Sequence, residues 1–163
     1  MASENITDTE HYYAYGCCHI FAAAALEFFE EHCIGGHFLV LSDPDELYYE
    51  GEDGDDDVLA VVHVYAVIET NEGSKAVDIF GMHPEANAEA LAKDRYHVHD
   101  LVQDREPNRE TMIEYFVQQD DEDDDYKPLS AFGDDDIEEA KKIVSDAYLD
   151  KIEELRPRAL APV

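Results

Sequence analysis

Three residues in the first half of the chain have types and an order that suit nucleophilic chemistry. Cys18 opens an apolar segment, His63 lies in a Val-rich segment, and Asp78 lies in the apolar segment that follows. The thiolate is the reactive form of cysteine, and both a helix N-terminus and a neighbouring imidazole lower the pKa of a thiol. A carboxylate fixes the tautomer of the imidazole. The order therefore predicts a nucleophile, a base and an orienting carboxylate.

Hydrophobic periodicity predicts the elements that must position these residues. Residues 18–33 carry apolar side chains at i, i+3 and i+4, which is typical of a helix, and Gly35-Gly36 follow it. The other predicted elements are strands at 37–41, 58–68, 75–80 and 96–98, and helices at 84–92, 109–118 and 134–155. This order predicts an α+β fold in which the N-terminal helix packs on a small antiparallel sheet, with further helices added towards the C-terminus.

The relation between His63 and Asp78 depends on the turn between their strands. Direct pairing of the two residues places the turn at Glu69–Glu72. A turn at Glu72-Gly73, which has the more usual turn residues, places Asp78 opposite Val67. In that register the two side chains are too far apart for contact, and a β-bulge is needed to bring them together.

The motifs around these residues resemble those of small bacterial and phage members of the papain-like cysteine hydrolases. The matching segments are Cys18–Leu26, His63-Val64 and Asp78–Gly81, and the resemblance covers about residues 16 to 81. It implies a papain-like core that cleaves an amide or isopeptide bond. It also implies that the Cys is the nucleophile, the His the base and the Asp the orienting residue.

The length of 163 residues predicts one domain, 1–163. We expect the core at 16–81, a helical extension at 82–155, and an acidic loop at 119–136 within that extension. The chain has 41 Asp and Glu residues against 11 Lys and Arg residues, which gives a formal charge of −30. The acidic runs at 50–57 and 120–125 are expected to be solvated loops.

Three origins of this charge stay open from the sequence. Acidic surfaces keep the proteins of halophiles soluble at high salt, where ionic screening reduces self-repulsion. Carboxylates can also imitate nucleic-acid phosphates and occupy a basic groove. The third origin is acidic loops on an ordinary enzyme. The alternative function is thus a catalytically inactive acidic binding protein, a nucleic-acid mimic or anti-defence inhibitor of a basic partner, encoded by a virus or by a halophile. A basic protein or peptide is the expected partner, and direct nucleic-acid binding is not expected.

The three cysteines, Cys17, Cys18 and Cys33, are an odd number, and the first residues are acidic and polar. No apolar run approaches the length of a membrane span. We therefore expect reduced thiols, no membrane contact and a cytoplasmic protein, in the host cytoplasm if a virus encodes it. Cys17 and Cys33 are predicted to be small buried apolar residues.

Two groups of residues in the sequence have side chains of the types that bind metal ions. His97 and His99 would share one face of a short strand, but no third ligand has a fixed spacing to them. A set of Cys17, Cys18, His19 and Cys33 lacks the usual two-residue gap between cysteines. We predict neither a metal nor a cofactor.

Overall fold

One five-stranded antiparallel sheet organises the part of the chain that the computed structural model describes, residues 18–49, 58–117 and 133–156. The strands are β1 (Gly36–Tyr49), β2 (Val58–Thr70), β3 (Gly73–Asp78), β4 (Gly81–Pro84) and β5 (Val102–Glu106). The helices are α1 (Cys18–Glu31), α2 (Glu85–Tyr96), α3 (Arg109–Val117), α4 (Asp134–Tyr148) and α5 (Ile152–Leu155). The strand order is β4-β3-β2-β1-β5, so β2 is central. The α+β class is confirmed.

Side chains of successive strand residues point to opposite faces, and both faces of this sheet are covered. One face packs against α1 through Phe38, Val40, Val64, Ala66, Ile68 and Val77. The other face packs against Ala88 and Ala92 of α2 through Leu39, Leu41, Tyr65, Val67 and Ala76. The α1 helix is apolar on nearly all sides, with 11 of its 14 residues buried, because it lies between the sheet and α4.

The β1–β2 pairing contains a bulge beside His63. Leu41 pairs with His63, but the next residue of β1, Ser42, pairs with Val61. Val62 is therefore the additional residue of β2, and the alternation of faces reverses there. Val61 and Val64 both pack towards the α1 side, which an uninterrupted strand does not allow.

A short turn sets the register of β2 against β3. Thr70 pairs with Gly73 across Asn71 and Glu72, and the Thr70 hydroxyl accepts the Glu72 N–H at 3.1 Å and donates to the Gly73 carbonyl at 2.7 Å. Gly73 has φ +106°, which glycine adopts without steric cost. The Asn71 N–H also donates to the carbonyl of Leu155 at 3.0 Å, so α5 holds the turn in place.

The predicted elements differ from the observed ones mainly after residue 92. The prediction of a strand at 96–98 is wrong, because α2 continues to Tyr96 and His97 ends it with a left-handed backbone at φ +56°. The strand of this region is β5, which pairs with β1, so the 82–155 extension is not purely helical. A 3₁₀ turn at Leu149–Lys151 interrupts the predicted C-terminal helix. The strand predicted at 37–41 is longer in the structure, because β1 continues to Tyr49.

The first 17 residues and the acidic runs at 50–57 and 120–125 lie outside the described residues. In the described part of the chain, no helix combines the length and apolar character needed to cross a membrane.

Gly36 allows the close approach of β1 to β2. A Cβ atom at this position would overlap the carbonyl group of Val67, whereas a Cβ at the neighbouring Gly35 would meet nothing within 4 Å. We expect Gly36→Ala to lower the free energy of unfolding by about 2 kcal/mol or more, because backbone atoms must shift. Urea titration of Gly36→Ala and Gly35→Ala tests this. Equal stability of the two variants would contradict the proposed steric cause.

Lys141 of α4 holds this helix to α1 by charge. Its ammonium nitrogen lies 3.0 Å from a carboxylate oxygen of Glu27, 3.2 Å from one of Glu31 and 3.5 Å from one of Glu138. We expect Lys141→Met to destabilise the protein by about 1–2 kcal/mol, because three carboxylates lose their shared cation.

Thermal unfolding of Lys141→Met should be compared with that of Lys142→Met, which removes an equal charge from an exposed position on the same helix. The difference between the variants should shrink in 1 M salt, because screening weakens the ion pairs. Identical melting temperatures at low salt would contradict a stabilising role of the Lys141 cluster.

Candidate active site

The imidazole of His63 and the carboxylate of Asp78 are hydrogen-bonded across neighbouring strands. The His63 Nε2 atom lies 3.0 Å from the Asp78 Oδ2 atom. The register of β2 and β3, continued from Ala66 and Val77, places Asp78 opposite Tyr65. His63 and Asp78 are therefore diagonal neighbours on one face, a spacing that long side chains bridge. No bulge between β2 and β3 is needed, which corrects the expectation drawn from a turn at Glu72-Gly73.

Both oxygens of the Asp78 carboxylate accept hydrogen bonds. Oδ2 accepts from His63, and Oδ1 accepts from the backbone N–H of Phe80 at 2.9 Å. The second bond belongs to the turn that leads from β3 into β4. The carboxylate is thus held in one orientation by the backbone while it orients the imidazole, which combines the structural and the functional interpretations of this residue.

The second ring nitrogen of His63 contacts a residue that the sequence did not single out. The Tyr96 hydroxyl lies 3.1 Å from His63 Nδ1, and the two rings are 5.2 Å apart between centroids. Tyr65 lies on the same side, with its ring centroid 5.9 Å from that of His63. The Asp78 carboxylate can only accept a hydrogen bond, so Nε2 of His63 carries a proton. Nδ1 then accepts a hydrogen bond from the Tyr96 hydroxyl when the imidazole is neutral, and it donates one to that hydroxyl when the imidazole is protonated.

Cys18 is the first residue of α1, and its thiol interacts with both His19 and His63. Burial raises the pKa of the Cys18 thiol. The interactions of the thiol with the two imidazoles oppose this effect and exceed it, so that the pKa falls to about 6. Cys18 is 8% exposed and His19 is 1% exposed. The three predicted site residues are therefore brought together, and His19 joins them from the position next to Cys18.

The pKa of His63 is shifted in the opposite direction. Burial lowers it, but the hydrogen bond to Asp78, the interaction with the Cys18 thiol and the negative charges of both groups raise it to about 9. Between pH 6 and pH 9 the thiolate and the imidazolium therefore coexist. A thiolate paired with an imidazolium is a nucleophile that needs no further base for its activation.

The bulge at Val62 explains how His63 meets groups from both layers of the structure. Cys18 belongs to the α1 layer, whereas Tyr96 belongs to α2 on the other side of the sheet. His63 lies where the alternation of faces reverses, and bulges commonly redirect a side chain beside a functional site.

A partly open pocket lies on the α2 side of His63, with about 300 Å³ of empty space when the adjoining solvent is included. Its polar lining consists of His63, Tyr65, Asp78, His83, Arg95 and Tyr96. Alanines of β3 and α2 supply the apolar lining, and their small side chains leave the space open. Cys18 does not line this pocket, so its thiol meets the imidazole from the α1 layer.

The remaining cysteines and the two candidate metal sets do not form a site in the described residues. Cys33 is exposed, with a left-handed backbone at φ +66°, so the prediction of a buried Cys33 is wrong. It also lies at the opposite end of α1 from Cys18. At about 1.5 Å per helical residue the two cysteines are about 20 Å apart, so Cys33 cannot bind the same metal ion as Cys18 and His19. His97 and His99 lie after the end of α2 rather than on a strand. Cys17 lies outside the described residues. Within those residues, no group of three His, Cys, Asp or Glu side chains is placed to hold a metal ion.

Comparison of the chain with protein-family models, with curated proteins and with solved structures finds no match. The chemistry of the site therefore has to be inferred from its own geometry.

The thiolate should be detectable by alkylation. In a Cys17→Ser/Cys33→Ser background, we expect the iodoacetamide rate of Cys18 to rise with a midpoint near pH 6. His63→Ala should move this midpoint to higher pH, because the thiolate then loses the imidazole that counteracts the effect of burial on its pKa. The rate at pH 7 should fall about tenfold. His83→Ala, a change of the same type in the pocket lining, should leave the midpoint in place. An unchanged midpoint in His63→Ala would contradict the ion pair.

Proposed function

We propose that this chain is a thiol-dependent hydrolase of an amide or isopeptide bond, with Cys18 as nucleophile, His63 as base and Asp78 as orienting residue. The observation that carries the proposal is the continuous chain from thiol to imidazole to carboxylate. Its imidazole–carboxylate link measures 3.0 Å, and its thiol has a pKa lowered to about 6 by neighbouring imidazoles. Structural cysteines in apolar surroundings have raised pKa values instead.

In the first half of the proposed reaction, the Cys18 thiolate attacks the carbonyl carbon and forms a C–S bond. The carbonyl π electrons move to the oxygen, and the backbone N–H groups in the first turn of α1 have no helical partner and suit that oxyanion. His63 donates its Nδ1 proton to the leaving nitrogen, because Asp78 holds the proton on Nε2. The C–N bond then breaks, and a thioester and a free amine result.

In the second half, water attacks the thioester carbon while His63 Nδ1 accepts a proton from that water. The C–S bond breaks, the carboxylic acid leaves, and the thiolate–imidazolium pair is restored. In the resting protein Tyr96 contacts the same Nδ1 atom, and its hydroxyl gives way to the leaving nitrogen and to water during the proton transfers. Its hydroxyl accepts from the protonated imidazole and donates to the neutral one, so we assign it as a positioning residue for the ring.

A papain-like core is part of the proposal. In support, a helix that begins at the thiol packs on an antiparallel sheet, and neighbouring strands of that sheet carry the histidine and the aspartate. The formal charge of −30 favours a substrate with basic residues, because the field of the whole surface attracts cations. A Lys- or Arg-rich peptide is therefore the expected substrate class.

Hydrolysis of a library of basic peptides, followed by mass spectrometry, tests the proposal. We expect Cys18→Ser to abolish cleavage and Asp78→Asn to reduce it by about 10²-fold or more, because the imidazole loses its orienting carboxylate. Cys33→Ser, an equal change at the exposed end of α1, should cleave like the unmodified protein.

Equal cleavage by Cys18→Ser and Cys33→Ser would contradict the proposal. Salt-sensitive binding of the basic peptides without any cleavage would favour the acidic binding protein instead, because that function depends on surface charge and not on the thiol.

A further inference from the structure

Arg95 is a cation beside the candidate active site that no described carboxylate neutralises. It lines the pocket next to His63, and its guanidinium carbon lies 3.3 Å from the centroid of the Phe80 ring. No carboxylate of the residues in the described ranges lies within the 4.0 Å of an ion pair from its nitrogens.

Stacking on Phe80 fixes the plane of the guanidinium and leaves its edge N–H groups for hydrogen bonds. Of the described residues that line the pocket, Asp78 alone carries a carboxylate, and both of its oxygens are already engaged by His63 and Phe80. The remaining polar lining offers donors, namely the imidazole of His83 and the hydroxyl of Tyr96. The pocket thus presents donors and one free positive charge.

We propose that this pocket binds a carboxylate group of a ligand, with the Arg95 guanidinium as its counter-ion. A guanidinium fork matches a carboxylate in a bidentate arrangement. A group with one negative charge fits better than a dianion, because negative charges near the pocket repel a second one. Asp78 borders the pocket, and Glu85 and Glu89 of α2 are close enough to interact electrostatically with Tyr65, which lines it.

The identity of the ligand rests on the proposed function. If Cys18 attacks an amide held near His63, the carboxylate in this pocket belongs to the same molecule. The substrate is then the C-terminal end of a peptide, whose α-carboxylate binds Arg95. The acidic outer surface attracts basic residues further along such a peptide, while Arg95 selects its end.

The first test is a titration with N-acetylglycine, followed through the side-chain Nε–H signal of Arg95 in NMR spectra of the full chain. Absence of the signal in Arg95→Gln assigns it. We expect a saturable shift with N-acetylglycine and no saturable shift with its neutral amide. Arg105→Gln, which removes an exposed arginine from β5 at the opposite edge of the sheet, should bind like the unmodified protein. Equal shifts with acid and amide, or no shift with either, would overturn the carboxylate site.

The second test compares alkylation of Cys18 by iodoacetate and by iodoacetamide, which differ in charge but little in size. The total charge of −30 alone makes iodoacetate the slower reagent. If Arg95 holds carboxylates beside the thiol–imidazole pair, Arg95→Gln should lower the ratio of iodoacetate to iodoacetamide rates about tenfold. Arg105→Gln should leave the ratio unchanged, and Arg95→Lys should restore part of it.

These tests separate the two proposals. Saturable N-acetylglycine binding together with slow alkylation of Cys18 by both reagents keeps the carboxylate site and overturns the hydrolase. Rapid iodoacetamide labelling without N-acetylglycine binding overturns the carboxylate site and keeps the activated thiol. If Arg95 serves only to stack on Phe80, N-acetylglycine does not bind and the rate ratio is the same in Arg95→Gln as in the unmodified protein, which overturns the carboxylate site.

Discussion

The register between β2 and β3 is the constraint on which the candidate site depends. Strand side chains alternate between faces, so a shift of one residue would turn Asp78 away from His63 to the opposite face of the sheet. The Thr70 hydroxyl and the positive φ of Gly73 define the turn, and the bond from Asn71 to Leu155 ties that turn to the C-terminal helix. A local hydrogen-bond pattern at one end of the hairpin thereby positions two ionisable groups at the other end.

At this site, burial and the neighbouring groups have opposite effects on the pKa values of Cys18 and His63. Burial acts against the charged forms of both Cys18 and His63, because a low-dielectric interior disfavours an isolated ion. Each group nevertheless shifts towards its charged form, since each supplies the opposite charge for the other and Asp78 adds a second negative charge. The ion pair is thus a cooperative state in which removal of one member leaves the other in an unfavourable environment.

The sequence predicts those features that depend on residues close together in the chain. A period of two placed His63 and Asp78 on one face, and apolar side chains at i, i+3 and i+4 predicted the helix α1. The exact register could not be predicted, because it depends on the Thr70 hydroxyl and on a contact with α5. Tyr96 was missed because the predicted helix ended at residue 92, and its contact with His63 spans 33 residues of sequence. Such contacts arise from the packing of α2 over the sheet, which no local pattern encodes.

The position of the two described thiols at opposite ends of α1 has a consequence for oxidation. A disulfide needs Cα atoms within about 7 Å, so Cys33 cannot act as the resolving thiol for Cys18 in the same molecule. Among the described thiols, oxidants therefore act on two separate groups. The thiolate of Cys18 is the more readily oxidised to sulfenic acid, but it is shielded by burial. The exposed Cys33 is open to mixed disulfides with small thiols, while the like charge of two chains opposes its pairing with another copy.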